Sequence, residues 1–367
     1  MRVLSLLSLT LAVVGVTPAT AQTAATTNVA DGSLTIYQNL GRLNVTVSLY
    51  QLLQNINLLD LRNLLNNTSN RYTFLAPSNE ALQGVQPLDW NALLRYHILA
   101  TSALAANLSA SYQLESTLLY DTAQAQLPSY QEGQAIVFRP NQTAGAGGVT
   151  LTGGSVGTDV SIIQTDLRAS NGIIQIIDRV LEIPAKASLV APRIADITTA
   201  TALLNQAGLF PRLEQARGLT LFVPNNAALS KLDIILDGAT MTPTRPSLNT
   251  SQLADLLSFH ALVDQTVLYS TRIQDTIQVQ TLEEGSLILN RSASNDIYVN
   301  NVKVVRADIL LANGVMHIID GVLDPSRAVQ KPSGSTAEVA SSAGSPAYPQ
   351  LVVANLLGLV ALAVLYL

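Results

Sequence analysis

The sequence predicts an α+β protein built from two tandem copies of one domain. Three observations predict it. The stretch Asn171-Gly172-Ile173-Ile174-Gln175-Ile176-Ile177-Asp178 returns 142 residues later as Asn313-Gly314-Val315-Met316-His317-Ile318-Ile319-Asp320. Two further segments also occur twice, in the same order ahead of it. In each half, helix-type spacing of apolar residues precedes strand-type alternation, the order of an α+β domain rather than of an alternating α/β one.

The ends must be set aside before the fold is considered. Mean hydropathy is +0.30 over 367 residues, and both termini inflate it. Residues 1–21 read as a secretory signal: Arg2, an apolar run from Val3 to Val16, then Ala19-Thr20-Ala21 as the cleavage site. A retained anchor is the other reading, but the run is short for a membrane span. Residues 325–350 form a Pro/Ser/Gly stalk and 351–367 an uncharged apolar tail. Small residues, a polar spacer and a terminal apolar run make a GPI-attachment pattern, with Ser341 or Ser342 as the attachment residue. A plain C-terminal membrane helix is the rival, although no basic stop-transfer cluster follows the tail.

What lies between suits two domains of ordinary size. The formal charge is −5, which provides no basic surface for nucleic acid. The chain has no cysteine, so thiol chemistry is excluded. Sequons at Asn44, Asn66, Asn67, Asn107, Asn141, Asn249 and Asn290 predict N-glycans on exposed loops.

The first domain opens with a helix carrying Leu49, Leu52, Leu53 and Ile56 on one face, with Ser48 as cap and Asn57 as a left-handed stop. The second copy offers Asp196 or Thr198 as cap, Leu203 and Leu204, then Gly208 as stop. A short apolar strand follows, Thr73 to Pro77, repeated as Thr220 to Pro224. Each ends at a proline, which cannot donate to a ladder. Ser78/Asn79 and Asn225/Asn226 then offer oxygens to cap the next helix. The third pair is Leu93 to Leu99 against Leu256 to Leu262, with Tyr96-His97 matched by Phe259-His260. The repeat offset rises from 147 at the prolines to 163 at the histidines. That places an inserted loop at Asp237 to Thr250. It then falls to 142, which predicts extra length in the first domain at the Gly-rich Asn141 to Gly157. Strand-type runs follow at 135–138 and 160–163, and at 276–279, 286–289 and 302–305. The closing apolar run completes the sheet. Its Asn-Gly opening suits a tight turn with positive φ. Ala185 to Ala191 is a linker short enough that the domains should touch or be stiffly arrayed.

Together these motifs resemble the fasciclin-like FAS1 domain, from about Ser33 to Pro184 and from about Leu189 to Asp324. The resemblance implies, for each domain, a seven-stranded β-wedge or sandwich with several packed helices. It also implies a non-catalytic role in adhesion or matrix attachment, without cofactor or metal. The expected partners are cell-surface, matrix or wall proteins or glycans, and a membrane through the GPI lipid. The family's Tyr-His element falls on Tyr96 and His97. The Asp-Ile linked to integrin recognition in animal members falls on Asp308 and Ile309, where the first domain has Asp166-Leu167. Gln175 stands where the family and the second copy (His317) have histidine. These departures count against both domains binding one ligand alike.

The residues themselves agree with a binding role. All three histidines, His97, His260 and His317, lie in repeated motifs, and no zinc pattern such as H-E-x-x-H is present. Buried imidazoles tying helix to closing strand explain them better. Glu283-Glu284 and Asp233/Asp237 read as solvated faces rather than a glycosidase pair. Asp178 and Asp320 read as structural hydrogen-bonders. Tyr96, His97, Asp308 and Ile309 remain the candidates for partner contact. The alternatives to adhesion are a surface protein holding a lipid or other apolar small molecule in an inter-domain or sheet-edge cleft, and a membrane-spanning vacuolar fusion protein.

Overall fold

The computed structural model describes residues 29–120, 125–128, 132–154, 156–231, 250–264, 266–283 and 285–325. The expected signal, Asn249, most of the loop expected at 237–250, nearly all of the stalk and the tail with Ser341 and Ser342 lie outside the described residues. Among the described residues, no helix is long and apolar enough to cross a membrane.

Two seven-stranded sheets organise the molecule. The first uses β1 (Tyr72–Pro77), β2 (Ile98–Leu99), β3 (Gln113–Ser116), β4 (Ala135–Pro140), β5 (Val149–Thr152), β6 (Val160–Ala169) and β7 (Gly172–Ile177). Its order is β2-β1-β7-β6-β5-β4-β3. The second uses β8 (Leu219–Pro224), β9 (Ala261–Leu262), β10 (Ile277–Gln280), β11 (Ser286–Arg291), β12 (Ile297–Val299), β13 (Val302–Leu311) and β14 (Gly314–Ile319). Read from β9 to β10, its order repeats the first. In each, the first and last strands pair in parallel, β1 with β7 and β8 with β14. All the other pairings are antiparallel.

That central parallel pair is apolar because both of its faces are covered. Side chains alternate across it. Phe74, Ala76, Ile174 and Ile176 pack on one side with α1 (Ile36–Leu40), α2 (Val47–Leu52) and α3 (Leu59–Asn66). Leu75 and Ile177 face the other way, into a second core with Phe138, Leu151 and Ile162. Leading into that second core are α4 (Trp90–Tyr96) and α5 (Ala105–Leu108). The second domain repeats the division. Leu221, Val223, Met316 and Ile318 meet α6 (Ala187–Val190), α7 (Thr198–Gln206), α8 (Phe210–Gln215), α9 (Asn226–Ser230) and α10 (Thr250–Ser258). Phe222 and Ile319 enter the opposite core. Each such buried side chain contributes about 1.5–3 kcal/mol, so these clusters outweigh the exposed ion pairs, worth about 0–1 kcal/mol apiece.

Several local expectations are corrected. Asn79 and Asn226 do not cap the helix that follows them; they reach back to the helix before the strand. Asn79 accepts from Ser48 N at 2.9 Å and donates to Asn44 O at 2.7 Å. Asn226 likewise accepts from Thr199 N and donates to Ala195 O. Neither Ser48, Asp196 nor Thr198 is the N-cap of its helix. Asn225 caps α9 through Ala228 N. Ile56 lies beyond the end of α2 and is 72% exposed, and Asn57 lacks positive φ, whereas Gly208 has it.

The Asn-Gly pair does mark a tight turn with positive φ, carried by the glycine alone: φ is 149° at Gly172 and 157° at Gly314. The hairpin loops are Ser170-Asn171 and Ala312-Asn313, between the paired ends Ala169/Gly172 and Leu311/Gly314. Neither asparagine has positive φ. Glycine is needed for close approach of the parallel neighbour. A Cβ on Gly172 would lie 2.0 Å from Tyr72 O, and one on Gly314 1.8 Å from Leu219 O.

The extra length of the first domain is mostly elsewhere than expected. The β3–β4 connection runs over 117–134, where the β10–β11 connection runs only over 281–285. A smaller excess lies in the β4–β5 and β5–β6 connections, inside the expected Asn141 to Gly157.

Candidate functional site

The repeated polar residues are turned inward. His97 follows α4 and is fully buried. Its Nδ1 lies 2.7 Å from Leu93 O, and its Nε2 accepts from Leu181 N at 2.9 Å. Accepting that N–H leaves Nε2 unprotonated, so Nδ1 carries the proton and the ring is neutral. His260 does the same with Leu256 O and Leu323 N. Burial pushes both pKa values down to about 4. Each imidazole thus ties a helix end to the chain leaving the closing strand.

Gln175 and His317 occupy equivalent places, and Gln175 makes one bond more, donating to Asp166 Oδ1 at 2.8 Å. His317 accepts from Asp308 N at 3.3 Å, and its Nε2 lies 2.9 Å from Leu268 O. Gln175 accepts from Asp166 N at 2.8 Å and donates to Ala103 O at 3.3 Å. Both aspartates sit in a bulge of the long strand, at φ 58° and 59°, a left-handed conformation that aspartate tolerates better than most residues. Asp178 and Asp320 close the hairpins, accepting from Ser161 N and Lys303 N. Asn171 bonds Leu65 O, Asn67 O and Ile36 N, and Asn313 bonds Leu213 O and Ala216 O.

Tyr96, His97, Asp308 and Ile309 are therefore poor partner-facing residues. Tyr96 is fully buried and donates to Ala135 O at 2.8 Å. Asp308 is 2% exposed and Ile309 6%. Asp308 accepts from Ser270 N at 2.8 Å, from Ser270 Oγ, and from Tyr112 Oη at 2.5 Å. Burial first, then the Asp308 charge, raises the Tyr112 pKa. Asp308 is thus taken up by Ser270 within the second domain and by Tyr112 across the junction, while Ile309 packs in the second domain's own core.

Contact between the domains was expected from the short linker; which residues build that junction is what sequence reasoning missed. Leu127, Ala135 and Val137 of the first domain form one apolar cluster with Val267, Tyr269, Leu310 and Val315 of the second. Around it, Gln134 Nε2 donates to Leu311 O at 2.9 Å, Gln126 N to Ala312 O at 2.9 Å, and Ala312 N to Ala185 O at 2.9 Å. Arg272 and Glu132 pair at 2.8 Å. Gln126, Leu127, Glu132 and Gln134 all belong to the long β3–β4 connection. The only signal pointing to it was the drop in repeat offset.

Two kinds of opening border the junction. An apolar groove of about 720 Å³ runs along the linker, lined by Leu88, Val180, Ile183, Pro184, Leu189 and Asn313 among others. Leu88 and Leu189 are exposed, and the buried Asn313 Oδ1 has no hydrogen-bond partner. Asn171 Oδ1, its counterpart, accepts from Ile36 N. Elsewhere, two polar cavities of about 340 and 320 Å³ share Arg139 and Arg306.

The sequons are unequal. Asn44, Asn66, Asn67 and Asn107 are exposed, on or beside short helices rather than in open loops. Asn141 and Asn290 are half-buried. Asn141 Nδ2 donates to Thr150 Oγ1, and Asn290 lies within β11.

A family model described as Fasciclin domain matches twice, over residues 46–184 and 195–325. The chain belongs to the fasciclin domain family. Among similar proteins is the Fasciclin-like arabinogalactan protein CTB11 of Cercospora beticola, 31% identical over 74% of this chain and 71% of that one. Another is the Fasciclin-like arabinogalactan protein elcF of Phaeosphaeria nodorum, 26% identical over 77% of this chain and 86% of that one. Fasciclin-1 of Schistocerca americana is 24% identical over 59% of this chain and 35% of that one. None of these matches points to a catalytic family. The two fasciclin domains here share one strand order and one set of inward-facing polar residues.

Proposed function

We propose that this chain is a secreted, N-glycosylated surface protein, held by a GPI lipid, whose paired fasciclin domains attach cells to a matrix or wall. One observation carries the reading: the motif residues that offer chemistry are spent on internal hydrogen bonds. His97, His260, His317 and Asp308 hold the fold and the junction, and the outer faces are left for contact. Similarity to Fasciclin-1 and to the fasciclin-like arabinogalactan proteins supports the same direction. Binding by such surfaces is weak per contact and strengthened by many copies on one membrane. The test is adhesion of cells displaying the full chain, against cells lacking it. The proposal expects attachment to matrix or wall material to fall on deletion and return on re-expression; equal attachment in both would defeat it.

A second reading is favoured by the groove beside Leu88 and Leu189. Its volume and apolar lining suit a small apolar molecule. Native mass spectrometry of the purified full chain tests it. A retained lipid-like mass that Leu189→Asp abolishes supports the reading, and a ligand-free spectrum counts against it.

A further inference from the structure

We infer that the polar cleft ringed by Arg139, Arg291 and Arg306 binds a saccharide bearing carboxylate or sulfate groups. The inference rests on the adhesion reading and names the class of partner. The chain is net acidic, at −5, yet three guanidinium groups collect around two adjoining cavities between the domains. Arg139 and Arg306 line both, and Arg291 lines the second. Among the described residues none of the three forms a salt bridge.

Two of the three are held in place. Arg139 Nη1 donates to Thr152 Oγ1 at 2.6 Å, and its guanidinium lies 5.5 Å from the centre of the Tyr112 ring. Arg291 donates to Ile273 O at 2.8 Å, to Asn295 O and Oδ1, and to Ser270 O, which commits all three of its nitrogens, so it adds positive charge to the wall and leaves the open forks to Arg139 and Arg306. Arg306 is exposed, and among the described residues its side chain makes no hydrogen bond or ion pair. The acids nearby do little to neutralise them. Asp308 is taken up by Tyr112 and Ser270, and Asp296 is paired with Lys303 at 2.9 Å. Only Asp159 opposes them on the rim.

A fixed guanidinium presents a planar fork that matches a carboxylate or sulfate, and little conformational freedom is lost when it binds. Two small adjoining cavities sharing a wall of arginine suit consecutive units of a polymer better than one bulky ligand. Thr152 and Asn295 in their lining offer hydrogen bonds to sugar hydroxyls.

The test is calorimetric titration of the full chain with polygalacturonate, with dextran sulfate and with neutral dextran, at low and high salt. The inference expects one or both acidic polymers to bind and neutral dextran not to bind. The tighter polymer distinguishes carboxylate from sulfate. Arg306→Gln, at an exposed position, should weaken binding about tenfold or more, as loss of a charged hydrogen-bonding partner does. Arg139→Gln should do the same. Arg71→Gln, an exposed arginine outside the cleft, changes net charge equally and should leave binding unaltered. Equal binding of neutral dextran, or Arg306→Gln indistinguishable from Arg71→Gln, overturns the site. Adhesion of displaying cells is scored in parallel. Continued adhesion without acidic-polymer binding removes the site and leaves the adhesion reading. Polymer binding in the cleft without adhesion does the reverse.

Discussion

His97 and His260 show how a polar residue in an apolar setting can be wholly structural. Each ring satisfies one buried N–H and one buried C=O. Truncation leaves both unpaired and opens a cavity, so His97→Ala or His260→Ala should cost about 2–5 kcal/mol, read by urea denaturation. A variant of unchanged stability would refute the structural role. Protonation acts on the same residues. The folded state keeps both rings neutral down to about pH 4, whereas an unperturbed histidine takes up its proton near 6.5. The unfolded chain therefore binds protons first as pH falls. Their contribution to stability is complete above about pH 6.5 and is lost progressively toward pH 4. Denaturation midpoints across that window should fall, and the fall should shrink in the alanine variants. The repeat made these histidines legible in the sequence as structural ties. At Gln175 the structural meaning of the departure was hidden, because an amide and an imidazole can both accept from the bulge N–H and donate to a carbonyl, which residue identity does not reveal. Gln175→His should keep the melting temperature within a few degrees, while Gln175→Leu should lower it.

At the scale of elements, the sheet was readable where apolar runs repeat, and the short strands β2, β3, β5, β9 and β12 were not. Two to four residues carry too little periodicity to register. The Asn-Gly pair signalled its tight turn, but not why its glycine is needed. Its glycine answers to a strand from the far end of the domain, a contact local sequence cannot show. Gly172→Ala should therefore unfold the first domain, since the new Cβ meets backbone rather than a movable side chain. Soluble protein with an unchanged melt would contradict that. The β3–β4 connection is the clearest case of hidden structure. Its sequence has no motif, yet Gln126, Leu127, Glu132 and Gln134 build the junction. Tyr112→Phe removes a hydrogen bond to a buried carboxylate and should cost about 1.5–3 kcal/mol. In a double-mutant cycle with Asp308→Asn the two effects should be strongly non-additive.

At the scale of the molecule, two fasciclin domains with a shared apolar cluster should unfold as one unit. Calorimetry of the full chain should show a single transition, and Val137→Asp, which places a charge in that cluster, should split it into two. A pair of domains joined in this way is a suitable carrier for weak, repeated surface contacts. The central claim is that this scaffold works outside the cell on a lipid tether. Surface labelling of live displaying cells before and after phosphatidylinositol-specific phospholipase C tests it most directly. The account predicts that the label leaves the cells, that the intact domain pair appears in the medium, and that attachment falls with it. Label retained after complete enzyme action, or attachment unchanged once the label is gone, would contradict it.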